Sequence, residues 1–386
     1  LATLREVYKT RAAEGLPDFG VLFVSVDGER DTADNLRQYL QAFSAEFQGA
    51  RGDAAALAPL LKSLDAIAMK VPLADGSYTM DHTAAVYWLD AKGRYRAVFS
   101  APLTSAGLRN DLLPQHLLSR GVRALTRWRW RPFSQRLIRL FLRGFRPDLS
   151  DALQPDITRY DSFNEFFVRD LRPDARPGPA TPEAIASPVD GTISALGECT
   201  DGLLLQAKGR NYSLNSLLAA HDGWPERFAG GRFMTIYLAP YNYHRIHMPM
   251  RGQLVDAWYV PGQLFSVNAV TAAHVPNLFA RNERLIAVFE QNNNPFAMVL
   301  VGALFVGSMG TVWHGDVQPA RRNGITRLDV PSNAERSLLE RGAEMGRFNM
   351  GSTVILLLPP GGGDWLDTLQ VGQTVRVGDR LGTRAT

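Results

Sequence analysis

One short apolar run near the C-terminus constrains what this chain can fold into. Residues 353–358 are all β-branched or aliphatic, and the run is too short for an ordinary helix. Pro359-Pro360 and three consecutive glycines close it, and a flexible glycine, Gly351, stands two residues before it. This pattern predicts a buried strand with Ser352 at its mouth.

Similar runs recur over the second half of the chain, separated by glycine- and proline-rich turns. The predicted strands are 203–207, 232–238, 254–260, 285–290, 297–306 and 353–358. The uncharged stretch 295–315 approaches the ~20 apolar residues that span a bilayer. Gly302, Gly307 and Gly310 divide it, however, so we expect two strands joined at residues 307–308 and no transmembrane helix.

The first hundred residues follow another pattern. Residues 21–27 predict a buried strand, and Thr32 is placed to cap a helix that begins after it. Residues 84–90 and 95–99 predict a hairpin around the Asp90–Gly93 turn. The predicted fold class is therefore α+β, with a partial α/β domain ahead of a β-rich one.

Between these parts lies a strongly basic stretch, residues 112–147, with nine arginines and no acidic residue. Arginines at 136, 139, 143 and 146 share one helical face, and Phe133, Leu137, Phe141 and Phe145 share another. Trp128 and Trp130 precede them. This pattern favours a basic amphipathic helix at a membrane surface over a solvated, nucleic-acid-binding or partner-binding face.

Composition limits the number of domains and the kinds of covalent and metal site that this chain can have. A chain of 386 residues with 45% hydrophobic residues is long enough for two domains with sizeable cores. The formal net charge is +4, and the basic residues are unevenly distributed along the chain. Cys199 is the single cysteine, so no disulfide forms within the chain and no cysteine pair can bind a metal.

Three turns carry residues of catalytic type. Asp190 lies in a Val-Asp-Gly turn, His244 and His247 lie in a Tyr-His-Arg-Ile-His segment, and Ser352 precedes the terminal strand. A hydroxyl nucleophile requires a base, and the base is usually oriented by a carboxylate. Each residue also has a structural explanation, as a turn former, a hydrogen-bonding histidine or a strand cap. The residue types alone leave both interpretations open.

The first part of the chain resembles the SCO/SenC family of thioredoxin-like copper-delivery proteins. The resemblance rests on the segment Phe23-Val24-Ser25-Val26-Asp27-Gly28-Glu29-Arg30-Asp31-Thr32 and on Tyr78-Thr79-Met80-Asp81-His82-Thr83, and it covers roughly residues 1–105. His82 matches the histidine of that family's copper site. The family's CxxxC motif is missing here, and one imidazole does not make a copper site, so we expect no metal at His82.

Residues 109–386 resemble bacterial phosphatidylserine decarboxylase. Its matching strings are Phe163-Asn164-Glu165-Phe166-Phe167-Val168-Arg169, Ser187-Pro188-Val189-Asp190-Gly191, Tyr243-His244-Arg245-Ile246-His247-Met248-Pro249, Val260-Pro261-Gly262-Gln263-Leu264-Phe265-Ser266, Glu344-Met345-Gly346-Arg347-Phe348 and Met350-Gly351-Ser352-Thr353. The last string carries methionine where the family usually has leucine, an exchange that conserves volume.

This resemblance implies a self-processing lyase. In the family's pattern His247, oriented by Asp190, deprotonates Ser352, and the alkoxide attacks the Gly351 carbonyl, so the chain is cleaved between Gly351 and Ser352. Ser352 becomes a pyruvoyl group, the built-in cofactor, which forms a Schiff base with phosphatidylserine and accepts the electrons released with CO2. His244 then protonates the substrate carbon, and phosphatidylethanolamine is the product.

The resemblance also sets the expected partners and place in the cell. We expect a phospholipid substrate, a membrane surface bound through residues 112–147, no nucleic acid, and association of the large and small chains after cleavage. A homodimer is left open. The expected location is the cytoplasmic side of a bacterial cell membrane, as a peripheral protein. Tyr237 and Ser266 are candidates for binding the substrate headgroup, with core hydrogen bonding as the equal alternative.

The expected domains are 1–108, a partial SCO-like domain, 109–160, a membrane-associating helical region, and 161–386, the catalytic domain. Two other functions compete with the lyase. An Asp-His-Ser hydrolase would keep an intact chain and be acylated at Ser352. A copper or redox carrier would use the N-terminal domain and bind metal at His82.

Overall fold

The structure is a computed structural model, and it describes residues 1–64, 66, 68–73, 77–83, 85–93, 95–100, 105, 115–207, 210–268, 271–272, 275–303, 308–317, 324–349 and 352–385. The chain divides into two compact units, Leu1–Pro114 and Gln115–Thr386. Within the described ranges no helix is both long enough and apolar enough to cross a membrane.

The first unit is a small α/β assembly. Its elements are α1 (Ala2–Thr10), β1 (Leu22–Ser25), α2 (Ala33–Gln41), β2 (Gln48–Arg51), α3 (Ala54–Ser63), β3 (Ala68–Pro72), β4 (Tyr78–His82), β5 (Ala85–Leu89) and β6 (Tyr95–Ser100). Strands β1 and β2 pair in parallel, while β3–β4 and β5–β6 are antiparallel pairs. Thr32 caps α2 by accepting a hydrogen bond from the Asn35 amide, as its sequence predicts. The hairpin predicted around residues 90–93 is the β5–β6 pair.

The second unit begins with α4 (Gln115–Thr126), α5 (Arg131–Phe145) and α6 (Phe163–Phe167). The basic stretch is thus two helices, and the exposed Trp128 and Trp130 lie near their junction. Phe141 of α5 is buried against the aromatic rings of α6, and Leu137 packs on the same cluster. The prediction of a wholly lipid-facing apolar side is therefore wrong for Phe141, because α6 offers it a protein partner.

The remaining elements of this unit follow in chain order. The helices are α7 (Leu214–Leu218), α8 (Trp224–Phe228), α9 (Leu278–Arg281) and α10 (Ala334–Ser337). The strands are β7 (Ala184–Ala186), β8 (Gly191–Glu198), β9 (Leu203–Ala207), β10 (Arg210–Ser213), β11 (Arg232–Leu238), β12 (Arg245–His247), β13 (Gly252–Val260), β14 (Arg284–Gln291), β15 (Asn294–Val301), β16 (Met309–Thr311), β17 (Gly315–Val317), β18 (Thr326–Arg327), β19 (Leu338–Leu339), β20 (Glu344–Phe348), β21 (Ser352–Leu358), β22 (Gly363–Trp365), β23 (Thr374–Val375) and β24 (Arg380–Arg384).

A large antiparallel sheet organises this unit. Its strand order is β18-β13-β14-β15-β21-β11-β8-β23, with β19 also paired to β13. Strands β15 and β21 lie side by side in its centre, and every residue from Val354 to Leu358 is buried. Because both faces of these strands are covered, their sequences are continuous apolar runs without alternation.

A second sheet, in the order β12-β20-β16-β17, stands at the end of the first, and a third joins β22, β24 and β7. The uncharged stretch 295–315 contains β15 and β16, as predicted, although the proposed junction at residue 307 lies outside the described residues. The mixed α+β class, with a β-rich second part, is confirmed.

Gly346 shows how tightly the second sheet is built. It pairs with Ile246 on one side and Thr311 on the other. A Cβ added at Gly346 would overlap the carbonyl oxygen of Gly310, which belongs to the neighbouring strand's backbone.

We therefore predict that Gly346→Ala lowers the free energy of unfolding by about 1–3 kcal/mol, the usual range for an overpacked site. Gly144 is the control, since it lies in α5 with open space around its Cβ position. Gly144→Ala is expected to be neutral or to stabilise by up to about 1 kcal/mol. Urea unfolding of both variants makes the comparison, and equal stability of the two would refute the packing argument.

Candidate functional site

The strand register brings Asp190 and Ser352 to one end of the large sheet. Tyr237 of β11 pairs with Thr192 of β8 and with Thr353 of β21, and Leu238 pairs with Ser352. Asp190 lies two residues beyond Thr192, at the same end. Neighbouring strands are about 4.8 Å apart, and β11 lies between β8 and β21. The backbones of Asp190 and Ser352 are therefore roughly 10 Å apart across the sheet.

The two sheets share a crossing that lies next to Ser352. The chain passes from β11 to β12 through His244, and from β20 to β21 through residues 349–351. The Phe348 amide donates to the His244 carbonyl over 3.0 Å, and four residues later Ser352 pairs with Leu238. Phe348 and the Ser352 backbone, which flank the expected cleavage site, therefore lie beside His244 and Leu238 respectively.

Asn349 anchors the start of this connection and is buried. Its side-chain amide donates to Ser308 Oγ over 2.7 Å, and its Oδ1 accepts from Asn164 over 3.1 Å. Met350 and Gly351 lie outside the described residues. For Ser352 we use only the position of its backbone at the start of β21.

Asp190 is a buried carboxylate in the turn that leads into β8. Arg176 binds both of its oxygens, at 2.6 and 3.1 Å, and the Val377 amide donates to Oδ1 over 2.8 Å. This fork is a strong, charge-assisted contact. Sequence reasoning missed Arg176, because it lies in an irregular proline-rich segment with no motif of its own.

His247 is half-buried, and its two ring nitrogens both have partners. Nδ1 lies 2.8 Å from the Gly342 carbonyl and must donate to it, so Nε2 accepts the hydroxyl of Tyr243 at 3.0 Å. Asp190 is thus bound by Arg176 and His247 by Gly342 and Tyr243, and the orientation of His247 by Asp190 stays a prediction. Burial lowers the pKa of His247, and the Gly342 hydrogen bond, the Glu344 carboxylate and, more weakly, the Asp190 carboxylate oppose that shift.

His244 is fully buried and stacks on Phe167, with 4.2 Å between ring centroids. Its Nδ1 donates to the Asn242 carbonyl over 2.8 Å, which leaves a lone pair on Nε2 to which no described residue donates a hydrogen bond. Burial lowers the pKa of His244 to about 3. At pH 7 the ring is therefore neutral, and Nε2 must take up a proton before it can donate one.

The other predicted residues are spread more widely. Tyr237 is half-buried beside Thr353, and Ser266 is half-buried in the segment after β13. His82 is exposed at the end of β4, in the first unit. Among the described residues, His221, Asp222 and Asp256 could hold a metal ion, but Arg327 forms ion pairs with both carboxylates.

Glu283 is a buried acid that the sequence did not single out. Arg284 pairs with Val301 and Val301 with Thr353, so one step further along the ladder Glu283, Gly302 and Ser352 share a row. The Gly302 amide donates to the Glu283 carbonyl over 2.8 Å. A Cβ on Gly302 would lie 3.1 Å from Glu283 Oε1. The carboxyl group of Glu283 therefore lies over Gly302, which stands between Glu283 and Ser352 in this row.

Only one of the two oxygens of the Glu283 carboxyl group has a hydrogen-bond partner among the described residues. Tyr259 donates its hydroxyl to Oε2 over 2.8 Å, while Oε1 is buried with no partner among the described residues. Burial raises the pKa of Glu283 from 4.5 to about 7, and the Tyr259 hydrogen bond opposes part of that shift. A protonated glutamic acid in an apolar site was not recognisable from sequence, because only the strand register buries it.

This pKa predicts how stability depends on pH. Between pH 4.5 and 7 the folded chain keeps a proton that the unfolded chain releases, so the contribution of Glu283 is fully present below pH 4.5 and is lost as pH rises through 7. The free energy of unfolding should fall over this interval by roughly 3 kcal/mol more in the wild type than in Glu283→Gln.

Denaturant titrations at several pH values measure this difference. Glu226→Gln is the control, since the Glu226 side chain is exposed on α8 and stays in water in both states. It should follow the wild-type profile. A Glu283→Gln profile parallel to that of the wild type would contradict the raised pKa.

Comparison with known proteins adds family relationships to this geometry. Residues 163–383 match the family model described as Phosphatidylserine decarboxylase, and residues 110–146 match the one described as PSD. Residues 1–113 match the family model described as SCO1/SenC. Both resemblances noted in the sequence are confirmed.

Among curated relatives, the phosphatidylserine decarboxylase proenzymes of Pseudoalteromonas translucida (strain TAC 125) and Methylococcus capsulatus (strain ATCC 33009 / NCIMB 11132 / Bath) are each 48% identical over 272 residues. These alignments cover 70% of this chain and 93% and 94% of the two relatives. A solved structure, Bradyrhizobium japonicum ScoI with copper bound, is 35% identical over 29% of this chain and 73% of its own, with a TM-score of 0.26.

Proposed function

Because the chain belongs to the phosphatidylserine decarboxylase family, we propose that it converts phosphatidylserine to phosphatidylethanolamine and CO2. The observation that carries the proposal is the crossing of the two sheets. It places Phe348 beside His244 and the Ser352 backbone beside Leu238, at the end of the sheet that also holds Asp190. A serine at the mouth of a strand thereby has imidazoles and a carboxylate in its neighbourhood, the set that nucleophilic activation requires.

In the proposed self-processing step, the Ser352 hydroxyl attacks the Gly351 carbonyl carbon, and an ester replaces the peptide bond. Loss of the Ser352 Cα proton then expels the Gly351 carboxylate and separates the chain, and hydrolysis of the resulting enamine releases ammonia and leaves the ketone. His247 is the base, and the Glu344 and Asp190 carboxylates favour its protonated form. Because Tyr243 hydrogen-bonds His247 Nε2, this contact must open or relay the proton for His247 to act. The two resulting chains stay associated, since β21 is held between β11 and β15.

The family implies a pyruvoyl group made from Ser352, and the residues around the start of β21 fit it. His244 Nε2 and Glu283 Oε1 are both buried, and neither has a partner among the described residues. Once formed, the group supplies an electron sink for the pair released with CO2. His244 is the proposed donor of a proton to the substrate carbon, through its buried Nε2. Tyr237 and Ser266 remain the candidates for holding the headgroup.

Replacement of Ser352 tests the proposal directly. Ser352→Ala should stay a single chain and release no CO2 from phosphatidylserine, because it has no hydroxyl to attack Gly351. The wild type should yield a separate peptide of residues 352–386 with a blocked N-terminus. Intact mass spectrometry and a CO2 assay give both results.

Ser150→Ala, at an exposed serine, is the control and should process normally. Cleavage of the chain and release of CO2 by Ser352→Ala would refute the proposal. An intact wild-type chain acylated at Ser352 would instead support the hydrolase alternative.

The proposal includes a peripheral position on the cytoplasmic face of a bacterial membrane. Trp128, Trp130, Leu140 and Phe145 are exposed, and the arginines at 129, 131, 136, 139 and 143 surround them on the same two helices and their junction. Exposed aromatic rings among arginines suit the interface of an anionic bilayer. In this division residues 1–108 are an SCO-like part without a metal role, residues 109–160 bind the membrane, and residues 161–386 catalyse.

Binding to vesicles tests the membrane surface. Replacing Trp128 and Trp130 together by serine should weaken binding to phosphatidylglycerol-containing vesicles at least tenfold, because two large apolar groups no longer leave water. Added salt should weaken the wild type as well. Leu153→Ser removes an exposed leucine outside these helices and is the control. Equal binding by the tryptophan variant and the control would exclude this surface.

A further inference from the structure

A cavity of about 350 Å³ opens beside the crossing of the two sheets. Arg169, Arg245 and Arg347 line it, together with Tyr160 and Asn164. Arg245 and Arg347 are direct neighbours across the β12–β20 pair, one residue from His244 and Phe348 respectively. Asn164 binds Asn349, three residues before Ser352. A cavity of this size can hold a small polar headgroup.

Arg169 is the unusual member of this wall. Only 4% of its surface is exposed, and its Nε is buried with no hydrogen-bond partner among the described residues. The centroid of the Phe166 ring lies 5.7 Å from its Cζ. A guanidinium taken out of water without a compensating anion is strongly unfavourable. Burial accordingly lowers the pKa of Arg169.

The carboxylates near the cavity are already paired with other arginines. Asp170 lies 2.6 Å from Arg245, and Glu165 lies 3.1 Å from Arg129. Asp190, whose field reaches Arg169, is held in the fork of Arg176. Arg169 is therefore left as the cation without a carboxylate partner in the described part of this wall.

We propose that this cavity binds a phosphoryl anion through Arg169, with Arg347 as a second cation, and that the anion is the phosphodiester of the lipid headgroup. Assigning it to the headgroup rests on the proposed function; the anion site does not. A guanidinium fork matches two phosphate oxygens. A phosphodiester keeps its charge throughout decarboxylation, whereas a cation on the departing carboxylate would stabilise the reactant and slow its loss. Asn164 Oδ1, buried and without a partner among the described residues, is an acceptor that suits the headgroup ammonium and not the phosphoryl oxygens.

The test uses full-length Ser352→Ala, which lacks the hydroxyl needed for processing, so binding is measured without any covalent chemistry. Three probes are titrated calorimetrically: inorganic phosphate, glycerophosphoethanolamine and L-serine. The first two should bind and serine should not. Tighter binding of the diester than of phosphate is expected for a headgroup site, and binding of phosphate alone would overturn that assignment.

Arg169→Met should weaken binding of the phosphoryl probes at least tenfold. Arg172→Met is the matched control, since Arg172 is a half-exposed arginine outside the cavity wall, and it should bind like the parent. Arg347→Met, at a half-exposed side chain, should weaken binding several-fold and replaces Arg169→Met should that variant not fold. Binding of serine alone, no binding of any probe, or undiminished binding in both cavity variants would overturn the proposal. None of these results bears on whether Ser352 processes the chain.

Discussion

The pairing of β11 with β21 and of β12 with β20 is the constraint on which the site depends. One stretch of chain contains β11 and β12, and the other contains β20 and β21. The two stretches lie side by side where each passes between the large sheet and the second sheet. The ladders on either side are set by hydrogen bonds and buried side chains, so strand register fixes the positions of Phe348 and of the Ser352 backbone. The placement of Phe348 beside His244 follows from that register.

Burial then decides the protonation of the groups around this crossing. His244 becomes a neutral imidazole with a free lone pair, and Glu283 becomes an acid that holds its proton close to neutral pH. Arg169 stays charged although it is buried, since guanidinium does not give up its proton in proteins. Asp190, in contrast, has an arginine partner. His244 and Asp190 both lie within electrostatic reach of Arg169. A base, an anion and a cation without a carboxylate partner among the described residues are typical of a site that handles a charged substrate. Glu283 lies apart from them, two strands from Ser352 on the other side of the sheet.

The helices ahead of the sheets connect this chemistry to a surface. Phe141 of α5 packs against α6, and Phe167 of α6 stacks on His244. The same helix α5 exposes Leu140 and Phe145. The exposed face proposed to meet lipid and the ring that packs on a buried histidine are therefore joined by a single cluster of aromatic side chains. This arrangement would hold a headgroup drawn from a bilayer close to the start of β21.

Much of this protein was determined by its sequence. Turn-bounded apolar runs marked β11, β14 and β21, Thr32 marked a helix start, and specific strings identified two families and singled out Asp190, His244 and Ser352. Tertiary structure decided what sequence spacing cannot encode: that Arg176 rather than His247 binds Asp190, that Phe141 faces protein, and that Glu283 and Arg169 are buried without full compensation. The reason is physical, since strand identity depends on local pattern, whereas a side chain's partners and its desolvation depend on which separate elements the fold brings together.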